Sequence, residues 1–390
     1  MAAVRGDLVA ELSARLAALN AIGARGRGNT RLAWTHELAE AEAWFAGEAE
    51  AAGLACSRDA ASNLWACPPS PPPWWGVGSH LDTVREGGRF DGALGVVAGF
   101  EVARRSSVPV AVVAFADEEG ARFNTPTFGS RALVGRLDTS VLERVDSDGI
   151  SLRDAMARAG VDPDALVRAP EGLSRLRGFL ELHIDQSLAV AKLDAPVAVV
   201  SSLATRTRVR VDVRGSADHA GTTPMDERRD ALAATARLIV AATGAVPGGG
   251  VATATRILAE PNALSTIPAE VSVWLDGRAP VPSAVDAWLE RVRGAATAEE
   301  RVEVNVRVES RSDGVVFDPS VRNALRTASG ADEIVCFAGH DVGVLAERIP
   351  AGMLLVRNER GVSHAPEEEV GLADAAAGVD ALIRTLEALA

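Results

Sequence analysis

The chain has 390 residues, 47% hydrophobic and 24% charged, with a formal net charge of -13. This is a globular composition with length for two or three domains, each able to bury its own core. The acidic balance excludes nucleic acid and anionic membrane surfaces as expected partners, because phosphate recognition depends on clustered cations. No apolar run approaches the roughly 18 to 20 residues that span a bilayer. The N-terminus reads as an amphipathic helix interrupted by Asp7, Glu11 and Arg15 rather than as a signal peptide. Three cysteines, Cys56, Cys67 and Cys336, are odd in number and lack CxxC spacing, so the expected location is the reducing cytoplasm. Tyrosine is absent and Lys192 is the only lysine, a compositional bias without functional content. The six histidines, His36, His80, His183, His219, His340 and His364, carry more information.

In chain order, helical periodicity predicts helices over 1–20 and 34–52. The turn-rich stretch 67–73 leads into a short apolar run that ends at His80. Residues 91–106 read as a helix. The Val-rich run 108–116 is continuous rather than alternating, as expected of a strand covered on both faces. Strand, loop, helix and strand over 74–116 form the unit that builds parallel sheets. A further apolar run at 178–184 carries His183 near its end. From about residue 207 the pattern alternates: a strand at 207–215, a helix across 224–242 with Pro224 in its first turn, and strands at 251–259 and 270–278. A helix at 282–296 and a strand at 301–310 complete a β-α-β-β-α-β order, the ferredoxin-like one. A helix at 319–329, a strand at 353–357 and a helix at 371–389 close the chain. The expected fold class is α/β: a catalytic domain over 1–206 and 319–390, with a mostly parallel sheet flanked by helices, interrupted by an inserted α+β ferredoxin-like domain at 207–318.

The residues able to carry chemistry stand where strands end, the place open α/β sheets use for their sites. They are His80 and Asp82 in GSHLDTV, Asp91 in RFDGALG, Glu118 and Glu119 in ADEEG, His183 in ELHID and His364 in GVSHAPEE. A lone His is more often an ordinary surface or core residue, and a DEEG turn is more often a solvated loop. Four strand ends that each present His or acid make a joint pattern, one suited to metal ligation. Two adjacent cations need a shared anionic ligand, and Asp91 in a glycine-flanked turn suits that role. Of Glu118 and Glu119, one can coordinate while its neighbour faces a solvent water as general base. The residues point to a hydrolase with a metal-activated water.

Longer strings carry a family resemblance. NTRLAWT (29–35), SNLWA (62–66), GSHLDTVREGGRFDGALGV (78–96), DEEGARF (117–123), FGSRALVG (128–135) and ELHIDQ (181–186) are followed by further matches. These are DHAGTTPMDERRDAL (218–232), PNALSTIPAEV (261–271), LDGR (275–278), AGHD (338–341) and GVSHAPEE (361–368). In this order they resemble M20-type metallohydrolases of the hydantoinase/carbamoylase branch, which contains N-carbamoyl-L-amino acid and allantoate amidohydrolases.

The resemblance implies two divalent metal ions, of Zn, Mn, Co or Ni, with His80, Asp91 and His183 on one and Asp91, Glu119 and His364 on the other. It implies Asp82 as the carboxylate orienting His80, and Glu118 as the general base. His219 would stabilise the oxyanion, often from a partner subunit. Asn262 and Arg278 would together hold a substrate carboxylate, with Gln186 lining the same pocket, and His340 would support the site. The inserted domain would act as lid and dimerisation element of a homodimer. The implied substrate is a small carboxylate-bearing amide, foremost an N-carbamoyl-L-amino acid. Allantoate or another N-acyl compound is the alternative, and a non-catalytic binding protein on this scaffold a remote one. Three departures stand out: IDQSL at 184–188 where the family usually has IEQGP, TRTR at 205–208 where allantoate-type members usually carry Gly-Gln-Arg-Arg, and Gly277 in place of a bulkier residue.

Overall fold

The computed structural model describes residues 2–390, with side chains from Gly6 onward. The chain forms two compact units. One comprises the residues up to Ser201 with Val316–Ile334 and Gly339–Ala390; the other comprises Ser202–Val315 with Val335–Ala338.

The first unit is built on β3 (Ala55–Arg58), β4 (Leu64–Cys67), β5 (Trp74–His80), β6 (Val110–Phe115), β7 (Leu176–Ile184), β8 (Val197–Leu203) and β17 (Ala351–Val356). The short β15 (Val315–Val316) and β16 (Glu333–Cys336) flank β8, and the strand order is β15-β8-β17-β7-β5-β6-β4-β3. The centre, β17-β7-β5-β6, is parallel. The margins are antiparallel, β4 on β6, β3 on β4 and β8 on β17, so the sheet is mixed around a parallel centre. Every residue of β5, β6 and β17 is buried, as their unbroken apolar runs predict for strands covered on both faces. Every residue of the edge strand β3 is exposed.

Helices α1 (Ala2–Asn20), α2 (His36–Ala51), α3 (Ala93–Arg105), α8 (Pro319–Ser329) and α10 (Leu372–Leu389) cover this sheet, with the shorter α4 (Phe128–Leu133), α5 (Leu152–Arg158) and α9 (Asp341–Leu345) and a ribbon of β1 (Ala24–Arg25) and β2 (Gly28–Asn29). Leu8, Leu12, Leu16 and Leu19 of α1 share a core with Val96 and Phe100 of α3, Leu382 and Leu386 of α10, and Val77, Val112, Leu180 and Leu354 of the sheet. No helix among the described residues is long and apolar enough to cross a membrane.

The second unit contains β9 (Thr205–Arg214), α6 (Ala231–Ala242), β11 (Val251–Glu260), β13 (Glu270–Ala279), α7 (Pro282–Thr297) and β14 (Glu303–Ser312). The order β11-β13-β9-β14, antiparallel throughout, is ferredoxin-like. A small pair, β10 (Asp218–His219) with β12 (Thr266–Ile267), stands beside it. Val209, Val211, Val273 and Leu275 turn one sheet face onto Leu238 of α6 and Val285, Trp288 and Val292 of α7. A Cβ on Gly277 would lie 2.6 Å from the Trp288 ring, so the missing side chain at 277 is the space this buried indole occupies. Helix α6 begins at Ala231 rather than at Pro224. Asp230 caps it by accepting from the Ala233 amide, while Arg228 donates to the carbonyls of Thr223 and Ala220 and holds the preceding segment as a loop.

On α3, Glu101 is buried to 1% exposure. It faces Arg15 Nη1 of α1 at 2.7 Å and Arg105 Nε at 2.8 Å, and Arg15 also pairs with Glu48 of α2 at 2.8 Å. Removing one partner of a buried ion pair leaves an uncompensated charge. Glu101→Ala is therefore expected to destabilise the first unit by about 3–5 kcal/mol, read as a lowered midpoint of thermal or urea unfolding.

Candidate metal centre

The carboxyl ends of the parallel strands converge on one place. His80 is the last residue of β5, Glu118 and Glu119 occupy the turn after β6, His183 is the penultimate residue of β7, and His364 lies in the loop after β17. Asp91 sits in the turn that enters α3. The next residue, Gly92, has φ +66°, and a Cβ there would come within 2.4 Å of the His80 ring, so glycine lets the turn close over the imidazole.

Asp91 is the shared element. Its Oδ1 lies 3.1 Å from His183 Nε2 and 3.4 Å from His80 Nε2. Its Oδ2 lies 3.2 Å from His364 Nε2, and His364 Nε2 lies 3.2 Å from Glu119 Oε1. The ligand atoms form two groups, His80–Asp91–His183 and Asp91–Glu119–His364, each within 4.8 Å. Burial opposes ionisation of Asp91, but hydrogen bonds from His183, His364 and His80 hold its carboxyl well below the usual range. Hydrogen bonds to Asp91 and Glu119 raise His364 to about 10. His364 also adopts φ +55°, a left-handed backbone uncommon for a non-glycine residue and typical of functional positions.

The donor set fits two divalent cations. His nitrogens and carboxylate oxygens surround each position, and the buried His183 Nε2 and Glu119 Oε1 face Asp91 at 3.1 Å and His364 at 3.2 Å, with lone pairs that a cation would satisfy. Such a mixed set accepts Zn, Mn, Co or Ni.

The surrounding contacts differ from expectation at two points. His80 Nδ1 meets the main-chain carbonyl of Asp82 at 3.0 Å, whereas the Asp82 carboxylate is 3.7 Å away. That carboxylate instead accepts from the amides of Glu118 and Glu119, both at 3.1 Å, so Asp82 orients His80 through its backbone and the DEEG turn through its side chain. Glu118 does not face solvent: it is 8% exposed, with Oε2 4.0 Å from His80 Nε2. Burial raises its carboxyl well above the ordinary value; His80 opposes this, and Asp341, Glu119 and Asp82 add to it.

Two buried glutamates were not singled out from the sequence. Glu368 Oε2 accepts from the amides of Phe90 (2.9 Å) and Asp91 (3.0 Å), and its Oε1 accepts from Ser363 Oγ (3.1 Å), fastening the Asp91 turn to the His364 loop. Glu181 accepts from Ser79 Oγ at 2.7 Å and the Val342 amide at 3.1 Å, and forms a third close group with His183 and His340. The His340 ring centroid lies 4.4 Å from that of His183, and burial together with His183 holds His340 well below its ordinary pKa, as a neutral neighbour. Both glutamates stand inside strings that carried the resemblance, ELHIDQ and GVSHAPEE.

Gln186 donates to Asp91 Oδ2 at 3.0 Å and lies 3.4 Å from His364 Nε2. Asp185 caps its own loop by accepting from the Ser187 amide and hydroxyl and the Val190 amide, which accounts for an Asp-Gln-Ser sequence here.

In the second unit His219 is exposed, and its Nδ1 accepts from the Gly221 amide at 3.0 Å, which fixes the proton on Nε2. His219 pairs with Thr266, and Asn262 lines a depression of about 350 Å³ with Glu260 and Glu270, at the Glu270 end of β13. Arg278 stands at the other end, eight residues away, or roughly 27 Å at 3.4 Å per residue. Asn262 and Arg278, expected to hold one carboxylate together, thus stand toward opposite ends of β13 within one copy.

The profile of Peptidase family M20/M25/M40 matches residues 76–388. The N-carbamoyl-L-amino acid amidohydrolase of Geobacillus stearothermophilus is 37% identical over 96% of this chain and 97% of its own. That of Paenarthrobacter aurescens is 33% identical over 95% of each chain. A solved hydantoinase/carbamoylase family amidase from Burkholderia multivorans superposes with a TM-score of 0.86 at 28% identity, covering 97% of both chains.

Glu368 touches the ligand loops without being a ligand. Glu368→Ala is expected to weaken cation retention about 10- to 100-fold, measured by chelator competition, with the circular dichroism spectrum unchanged.

Proposed function

The chain belongs to peptidase family M20/M25/M40, within its hydantoinase/carbamoylase branch, and on that footing we propose that it is a metal-dependent amidohydrolase that cleaves the ureido C–N bond of an N-carbamoyl-L-amino acid. The observation that carries this reading is Glu118, a buried carboxylate outside both ligand groups but 4.0 Å from the ligand His80. Two divalent cations held there by His80, Asp91, Glu119, His183 and His364 would supply Lewis-acid polarisation of the scissile carbonyl and a lowered pKa for water.

The protein's own groups supply the rest. Glu118 takes a proton from the attacking water and returns it to the departing amine nitrogen, and its raised pKa suits both steps. The Nε2–H of His219 donates to the developing oxyanion, which the tautomer fixed by Gly221 makes possible. Arg278 presents a guanidinium to the substrate carboxylate, while Asn262 and Gln186 add polar contacts. The products are the free amino acid, ammonia and carbon dioxide.

Because Arg278 stands at the opposite end of β13 from His219 and Asn262, we assign the two sets to different copies in a homodimer. The second unit then serves as both lid and dimerisation element. Three cysteines, none of them in a disulfide among the described residues, are consistent with a cytoplasmic enzyme.

A panel of N-carbamoyl, N-formyl and N-acetyl amino acids plus allantoate tests the substrate, with N-carbamoyl compounds expected to give the highest kcat/KM. Glu118→Gln should lower kcat by about a thousandfold or more; near-normal turnover would remove Glu118 as the base. Separately, the His219→Ala and Arg278→Ala variants, each inactive alone, should on subunit mixing recover about a quarter of wild-type activity, as random pairing into two-site dimers predicts. No recovery would mean that both residues act within one copy.

A further inference from the structure

The outer face of the second unit's sheet holds an unbalanced group of arginines. Arg206 of β9 lies directly across from Arg278 of β13, and Arg208 lies across from Asp276. Residues directly opposed on antiparallel strands share a face, and like charges so placed destabilise the sheet. Among the described residues the one acid paired with Arg206, Arg208 or Arg278 is Asp276, and it is already shared. Its Oδ1 accepts from Arg278 Nε and its Oδ2 from Arg208 Nε, both at 2.9 Å. Arg278 spends Nη1 on the Phe337 carbonyl at 2.6 Å. Arg206 has no such ion pair among the described residues, and its Nε is buried without a hydrogen bond. Its neighbours across β14 are Ser312 and, one row on, Ser310, which offer hydroxyls and no charge. Burial, with Arg208 and Arg278 adding to it, lowers the Arg206 pKa. A buried guanidinium nitrogen with no acceptor, beside a second cation, calls for an anion from outside the chain.

We propose that Arg206 binds a second acidic group on the substrate, so that the preferred substrates are N-carbamoyl derivatives of dicarboxylic amino acids. This rests on the reading of Arg278 as the guanidinium for the α-carboxylate. Cβ atoms of directly opposed residues are about 4.5–5.5 Å apart, a spacing that matches two carboxylates on one small molecule, as in aspartate or glutamate derivatives. Farther along this face Arg210 and Arg307 share Asp212, and Arg256 stands over the Trp274 ring, so the uncompensated guanidinium lies at the Arg206 end.

The test compares kcat/KM of the metal-loaded enzyme for N-carbamoyl-L-aspartate, N-carbamoyl-L-glutamate and N-carbamoyl-L-alanine. The diacids should be favoured about tenfold or more. Arg206→Gln should raise KM for the diacids about 10- to 100-fold with kcat nearly unchanged, leave the alanine derivative within about twofold, and Arg206→Lys should restore part of the preference. Equal losses on all three substrates, or a wild-type preference for the neutral side chain, would overturn the proposal. Arg278→Ala separates the two readings, since it should raise KM for every N-carbamoyl amino acid. If none of the three is hydrolysed, the reaction proposed above fails. Calorimetric titration of the metal-loaded protein with N-carbamoyl-L-aspartate and N-carbamoyl-L-alanine then decides: a diacid preference that Arg206→Gln abolishes sustains the second anion contact, and equal binding overturns it.

Discussion

A single carboxylate among three imidazoles organises the first unit. Asp91 offers one oxygen to His80 and His183 and the other to His364, so strands far apart in sequence must end within a few ångströms of one another. Parallel strands meet that demand because their carboxyl ends lie on one edge of the sheet. The cost is a concentration of buried acid: Asp82, Asp91, Glu118, Glu181, Asp341 and Glu368 are all enclosed near the site. Part of the compensation is an equally buried cation. Arg31 is fully enclosed, donates through Nε to the Leu81 carbonyl and through Nη1 to Ile22, and thereby braces the segment that carries Asp82. Burial lowers Arg31 to about 10, and Asp82 pushes in the opposite direction.

The second unit divides its chemistry between its two ends. Near Glu270 lie the exposed His219 imidazole, whose Nδ1 accepts from the Gly221 amide, and the Asn262 side-chain amide. Near Arg278 lies a row of guanidinium groups suited to carboxylates. The packing beneath allows this: Gly277 yields its side-chain volume to Trp288, so the strand carrying Arg278 stays flat against α7 and the arginines project from the opposite face.

The candidate ligands His80, Glu119 and His183 were legible because each stands at the end of an apolar run, so strand end and chemistry coincide in the sequence, while Asp91 and His364 stand in polar, glycine-containing loops. The β-α-β-β-α-β order was legible for a related reason, since alternation at period two and helical periodicity differ sharply over 207–310. Glu368 was not legible as a positioning group, because its partners, Phe90 and Asp91, lie more than two hundred residues away. The start of α6 was misread because Pro224 is a good first-turn residue, while the actual start depends on Asp230 capping and on Arg228 binding the loop. The separation of Asn262 from Arg278 needed the strand register, which no local pattern contains. Likewise only the register shows that Arg206 stands opposite Arg278.

The place of β17 in the sheet governs the order in which the protein can assemble. This strand comes late in the chain yet lies between β7 and β8, which come before most of the second unit. The edges of β7 and β8 that β17 pairs stay open while the second unit, nearly continuous in sequence, is synthesised. Long-range pairing of this kind is slow and leaves strand edges open to mispairing. The last candidate ligand, His364, follows β17 in the chain, so a nascent chain lacks the full group of His and acid residues until the strand that seals its sheet has emerged.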